Sequence, residues 1–403
     1  MRDRAAALGG RGPWGVAYHL RLSRLALQRA WPGRALQLGL GALAPADLGA
    51  DPRLPAEAEW LPVRPLLAGV CGSDWGVLLG RSSPYLAPVT SFPAVLGHEV
   101  YGELLVDGPW PRGTRVVVDP SLACASRGAT LCRACRTGRP DNCERRLDGG
   151  HGPGLLLGYH RRLPGGWSTR MFVPAHQLHP VPDGTDPRRA VLAEPLAIVL
   201  KGLRRVAWTA VETVLVVGSG PIGLLAALAV REEHPEVRIH AVARYPEQAE
   251  LAAALADAVV LSERDVERCE ALGPSVPGRF GAPAFHAWGF DLVIDAIGSA
   301  ASFQQAVATA RPGGQVLLVG GAGRERLDLA PVWTRNLTVA GTYGYVEEGR
   351  STFPRAVSLV TGSRRPLERV VGVVRPLSEY RRALRDFWPE RGRRIKLAFA
   401  PDA

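Results

Sequence analysis

The sequence predicts an α/β protein in two units, a small antiparallel β-barrel and a doubly wound parallel sheet. Three observations carry this. From Leu61 the chain falls into short apolar runs bounded by Gly and Pro, among them VYGELLV and TRVVVD, the texture of antiparallel strands. After Pro187 it alternates apolar strands with longer helical patterns, the signature of a parallel sheet covered by helices. A length of 403 residues exceeds what one hydrophobic core commonly serves, so two cores are expected. The expected bounds are residues 1–187 for the barrel, 188–344 for the parallel sheet and 345–403 for a return to the first unit, with a cysteine-bearing lobe at about 120–147.

Taken in order, residues 1–60 are rich in Ala, Gly, Leu and Arg, and Pro32, Pro45, Pro52 and Pro55 interrupt any long helix. Part of this stretch is expected to form the opening strands of the barrel. The first dozen residues read as a disordered lead or as residues upstream of the true start. Pro65 to Val70 is an apolar run that ends in a Gly-bracketed turn holding Cys71, and Phe92 to Leu96 is another, followed by His98 and Glu99. Thr169 to Pro174 reads as a strand returning to the barrel. In the second unit the strands are Thr213 to Val217, Arg238 to Ala243, Phe290 to Asp295 and Gln315 to Val319, the last preceded by a TARPGG turn. Helices are expected at Pro221 to Arg231 and Gln248 to Leu255, and the chain ends in the strand-like IKLAFA.

A thiol, an imidazole and a carboxylate recur within Gly69 to Glu99, as Cys71, His98 and Glu99, and that donor set suits zinc. Asp74, an anion beside such a ligand, would fix its geometry and raise its basicity. Glu194 opens a later apolar segment. A second set, Cys124, Cys132, Cys135 and Cys143, is spaced C-x7-C-x2-C-x7-C on one loop, where four thiolates close a tetrahedral site with no open position. The long first gap makes Cys124 the ligand that the spacing supports least.

Gly218-Ser219-Gly220-Pro221-Ile222-Gly223 is G-x-G-x-x-G between a strand and a helix, a pattern that brings backbone N–H groups and a helix N-terminus to a pyrophosphate. Adenosine ribose is commonly gripped by an acid at the end of the second strand. Here Ala243 stands at that place and Arg244 follows, so NADP is expected over NAD.

A net charge of +11 is scattered rather than striped, so it does not point to nucleic acid. The longest apolar run, Val214 to Val230, is broken by Gly and Pro, which argues against a membrane span. The N-terminus lacks a secretory pattern, and six cysteines, four of them clustered, suit metal binding in a reducing cytoplasm.

The ordered set of Cys71, His98-Glu99, Glu194 and the glycine fingerprint resembles the medium-chain zinc-dependent alcohol dehydrogenase family, in particular its sorbitol, threonine and glucose dehydrogenase branch. The resemblance covers roughly residues 60 to 400. It implies a GroES-like catalytic domain with a Rossmann NAD(P)-binding domain, and Cys71, His98, Glu99 and Glu194 as the catalytic zinc set, Glu99 being in some relatives only a neighbour of the metal. It also implies a structural zinc in the cysteine lobe, Ser73 as the hydroxyl that relays the substrate proton, and a homo-oligomer acting on a small alcohol or carbonyl. Two departures stand out. Gly76 replaces a His that completes the proton path in many relatives, and Lys201 replaces a His of the polyol enzymes, which tilts the substrate toward a sugar, cyclitol or polyol. A zinc-free quinone or enoyl reductase of the same fold and a non-catalytic NADP-binding redox sensor are the alternatives.

Overall fold

Strand β1 (Trp14–Tyr18) is wholly buried and opens the protein, whose computed structural model describes residues 12–48, 54, 58–148, 152–261, 266, 269–279, 284–321 and 323–401. The expectation of a disordered lead falls mostly outside those residues. Helices α1 (Leu22–Ala30) and α2 (Ala35–Leu40) follow, separated at Trp31-Pro32, where proline cannot continue the first helix. The sequence reading had left them out. Strand β2 (Leu43–Asp47) then pairs antiparallel with β1.

The long strand β3 (Trp60–Gly69) alternates buried and half-buried residues along its first half, as a strand with one face on a core should. Cys71 is the N-cap of helix α3 (Gly72–Leu78), so the Gly-bracketed turn is a helix start. Strand β4 (Ala94–Val95) adds to β1. Strands β5 (Glu99–Leu104) and β6 (Arg115–Val118) extend the sheet from β3, and the cysteine lobe carries the single-turn helix α4 (Arg133–Arg136). Strands β7 (Met171–Pro174) and β8 (Leu178–Pro180) return to β3 and β6.

Helix α5 (Ala193–Leu203) leads into strand β9 (Thr213–Val217), helix α6 (Pro221–Glu233), strand β10 (Arg238–Val242), helix α7 (Pro246–Ala253) and strand β11 (Ala258–Val260). Strand β12 (Phe290–Asp295), helix α8 (Ala300–Thr309), strand β13 (Ala310–Leu318) and strand β14 (Thr338–Gly341) complete a parallel sheet in the order β11-β10-β9-β12-β13-β14. The order reverses between β9 and β12, and a doubly wound sheet binds its ligand at such a switch point. Of the TARPGG turn predicted ahead of β13, Thr309 ends α8 and the other five residues lie within the strand. Phe290 pairs with Ala310 and Leu292 with Gln315, so the intervening residues bulge out of register.

Helix α9 (Phe353–Gly362) packs on α5. Strand β15 (Val373–Pro376), helix α10 (Tyr380–Phe387), the short helix α11 (Arg391–Arg394) and strand β16 (Leu397–Ala400) then close the first sheet as β15-β16-β3-β5-β6-β8, with β7 also on β3; β15 and β16 pair parallel and the other pairs are antiparallel. One apolar cluster runs from Leu67, Tyr101 and Val117 of this sheet through α5 to α6 and β9, so both sheets share a continuous core. Among the described residues no helix is long and apolar enough to cross a membrane.

Candidate active site

Antiparallel pairing of β3 with β5 sets Gly69 opposite Glu99, which brings the residues after one strand beside those before the other. One donor atom each from Cys71, His98 and Glu99 lies within 4.8 Å of the other two. His98 and Glu99 are buried and Cys71 is partly so. Gly69 is required here, because any Cβ would collide with the Glu99 carboxylate. His98 Nδ1 is buried without a hydrogen-bond partner, 3.9 Å from Asp74 Oδ1. Burial pushes the Cys71 thiol up to about 12, and the Glu99 and Asp74 carboxylates push the same way. A divalent cation among these groups would reverse that balance by favouring thiolate, and the donor set fits zinc.

Two partners hold the carboxylates, Lys396, which the sequence reading missed, and Tyr345, which it placed near the substrate pocket. Lys396, delivered by β16, forms a buried ion pair with Glu99, Nζ to Oε2 2.5 Å. Glu194, in the first turn of α5, stands outside the tight three-residue cluster and accepts a hydrogen bond from the Tyr345 hydroxyl. Burial raises its carboxyl to about 8; His98 opposes the shift, while Glu99 and Cys71 add to it. Tyr345 is itself buried, so it serves Glu194 rather than lining an open pocket, whereas Tyr343 remains partly exposed.

Ser73 is exposed in the first turn of α3, next to fully buried Asp74. Asp74 Oδ2 accepts from the Cys71 N–H at 2.9 Å, and Oδ1 accepts from the Tyr159 hydroxyl at 2.7 Å. Tyr159 Oη also lies 3.0 Å from Ser73 Oγ. A phenol has one proton and an ionised carboxylate only accepts, so Tyr159 donates to Asp74 and Ser73 donates to Tyr159. The polarity of the chain is therefore Ser73 to Tyr159 to Asp74. No motif marks Tyr159; it arrives from a loop 85 positions beyond Asp74.

The four cysteines of the lobe also converge within 4.8 Å, with Cys124 fully buried and its Sγ 3.6 Å from Cys143 Sγ. Thiolates around one zinc at about 2.3 Å sit about 3.8 Å apart, so this cluster fits a structural zinc. Burial opposes ionisation of Cys132, but N–H groups of Cys135 and Glu144 aimed at its sulfur bring it down to about 6. Between Cys135 and Cys143, Asp141 Oδ2 accepts from Lys201 Nζ at 2.6 Å and from the N–H groups of Tyr345 (2.9 Å) and Val346 (2.7 Å). Gly344, at φ +84°, permits that approach, since a Cβ would strike the Asp141 carboxylate. Lys201 is thus a buried tie between α5 and the lobe rather than a surface residue.

At the switch point each glycine has a separate task. Gly218 adopts φ +93°, Gly220 caps α6 with open space where a side chain would be, and a Cβ at Gly223 would strike the Gly218 carbonyl. Pro221 starts α6 and Ile222 follows it, so this is a turn whose backbone a pyrophosphate can approach. Ser219 Oγ ties it to β10 by donating to Val242 O at 2.9 Å. Ala243 is buried at the end of β10 and Arg244 is exposed beside it. Helix α5, with Glu194 at its start, packs on α6, which links the candidate metal centre to the nucleotide turn.

Two family profiles match the sequence: an alcohol dehydrogenase GroES-like domain over residues 57–183 and a zinc-binding dehydrogenase over residues 221–362. The chain is 33% identical to L-galactonate-5-dehydrogenase of Escherichia coli, covering 62% of this chain and 66% of that protein. It is 30% identical to glucose 1-dehydrogenase of Methanocella arvoryzae, covering 75% and 81%. A 35% identical match to a zinc-type alcohol dehydrogenase-like protein of Haemophilus influenzae spans only 43% of that protein. Alcohol dehydrogenase TADH from Thermus sp. ATN1 has the same fold, with a TM-score of 0.68 at 26% identity over 96% of this chain and 100% of that one.

Proposed function

Because the chain belongs to the medium-chain zinc-type alcohol dehydrogenase family, we propose that it is an NADP-preferring oxidoreductase that interconverts a polyol or sugar alcohol group and its carbonyl. The observation that carries this reading is the meeting of Cys71, His98 and Glu99 beside the Ser73, Tyr159 and Asp74 chain. When bound, zinc supplies the Lewis acidity that makes an alcohol proton labile near neutral pH, and the nicotinamide supplies the hydride acceptor. Cys71, His98 and a carboxylate of Glu99 or Glu194 would hold the ion, with Lys396 and Tyr345 holding those carboxylates in place. Ser73 Oγ takes the hydroxyl proton as its own passes to Tyr159 Oη, and the phenolic proton passes in turn to the Asp74 carboxylate. This internal route supports proton transfer without the histidine that Gly76 replaces.

The names of two of the three relatives described above, L-galactonate-5-dehydrogenase and glucose 1-dehydrogenase, support the substrate class, a support that Lys201 no longer lends. Arg244 and the absence of an acid at Ala243 support NADP. The test is turnover by the zinc-loaded chain of simple alcohols, polyols, aldoses and sugar acids, read as NADPH and NADH absorbance. Turnover of polyols or sugars with NADP is expected, with about two zinc ions per chain. No turnover across the panel, or no bound zinc, would overturn the proposal.

The oligomer belongs to the same proposal. Strand β14 is one edge of its sheet, three of its four residues are exposed, and Leu327, Leu329 and Trp333 are exposed just before it. An edge of this kind favours pairing with a second copy, in the cytoplasm that six free thiols suit. Light scattering that finds only monomer would count against it.

A further inference from the structure

Beside Arg244 at the end of β10, two more guanidinium groups arrive from distant parts of the chain. Helix α11 packs on α7, and Gly392 lies so close to the Tyr245 ring that a Cβ there would collide with it. Arg391 immediately precedes that glycine, as Arg244 immediately precedes that tyrosine. The Arg391 guanidinium lies over the Trp388 ring, 3.8 Å from its centroid, and Trp388 in turn meets Trp75 of α3 at 5.0 Å. Arg81 follows α3, and its carbonyl stands 3.8 Å from where a Cβ on Gly323 would lie, beside the loop after β13. The charges of Arg81 and Arg244 both act on Arg391.

All three side chains are exposed, and among the described residues no carboxylate pairs with any of them. Arg391 Nη1 donates to the Trp388 carbonyl at 2.6 Å, which aims the group without neutralising it. Three gathered positive charges repel one another, and a dianion among them turns that cost into binding. A phosphate monoester is such a dianion, and the end of the second strand is where an adenosine ribose lies in this fold.

We propose that Arg81, Arg244 and Arg391 form one phosphate site that takes the 2′-phosphate of NADP. The site rests on the NADP preference argued above and extends it. Arg244 belongs to the parallel sheet, whereas Arg81 and Arg391 flank elements joined to the antiparallel sheet. NADP therefore bridges the two sides of the cleft through its phosphate, and NAD does not.

The test is calorimetric binding of 2′,5′-ADP, 5′-AMP and inorganic phosphate to the full zinc-loaded chain. We expect 2′,5′-ADP to bind at least ~10-fold more tightly than 5′-AMP, and Arg391→Ala or Arg81→Ala to cut that ratio ~3-fold or more. Arg391→Lys, which keeps the charge, should retain most of the ratio and excludes misfolding as the cause of a loss. If Arg244→Ala abolishes the ratio while Arg391→Ala and Arg81→Ala leave it as in the wild type, NADP preference stands and the three-arginine site falls. A wild type that binds both nucleotides equally overturns the preference and the site together. Tight inorganic phosphate binding that leaves 2′,5′-ADP no advantage makes free phosphate the ligand and sinks the assignment to the cofactor.

Discussion

Only two of the 49 basic side chains are lysines, Lys201 and Lys396, and both are buried in ion pairs with a carboxylate. An ammonium can satisfy its few donors with one carboxylate and a nearby carbonyl, whereas a guanidinium in the same slot would bury unpaired N–H groups. The scarcity of lysine was visible in the sequence; its meaning was not, because nothing local distinguishes a buried lysine from a solvated one. Removing Lys396 leaves the Glu99 carboxylate buried without its cation, a loss of about 3–5 kcal/mol for a broken buried pair. Zinc at the cluster would supply a replacement charge. Lys396→Met should therefore lower the melting temperature strongly in zinc-stripped protein and much less in zinc-loaded protein. Equal losses in both states would show that Glu99 does not face the metal.

Among the elements, strands buried on both faces were the easiest to read. Thr213–Val217 and Phe290–Asp295 match their predicted bounds, because continuous Val, Leu and Ile between polar breaks leave no other period. Helix α7 starts two residues early because Pro246 suits a first turn, where no N–H is needed. The cysteine spacing marked the lobe, but its attachment through Asp141 to Tyr345 spans 204 positions and leaves no local trace. That attachment has a consequence. Cys124→Ser should drop bound zinc from about two ions to about one per chain. It should also loosen Asp141, and through Tyr345 release Glu194, so kcat should fall ~10-fold or more while the remaining zinc stays bound. Metal analysis alongside kinetics checks this, and unchanged kcat in a one-zinc protein would separate the lobe from the site.

At the scale of the molecule, the two sheets were legible and their junction was not, since the shared core and the ring pair that joins β8 to α9 depend on contacts between distant residues. His179 stacks on Phe353 there, centroids 4.6 Å apart and rings 2° from parallel. Burial, with His176 adding, holds the His179 imidazole down to about 4. In the unfolded chain it takes a proton near pH 6.5, so its contribution to folding is present above that pH and is lost as pH falls toward 4. Asp119 works in the opposite sense. Burial raises it to about 6 despite hydrogen bonds from Ser121, so the folded state binds its proton first and gains stability on the same descent. The two offset each other in the wild type, and replacing one exposes the other. His179→Phe keeps the ring and removes the titration; relative to wild type it should gain about 1–2 kcal/mol between pH 7.5 and pH 4.5, after discounting for partial exposure. Denaturant melts of both proteins at the two pH values measure that difference directly. A difference independent of pH would mean that His179 titrates as a solvated histidine and that the junction is open to water.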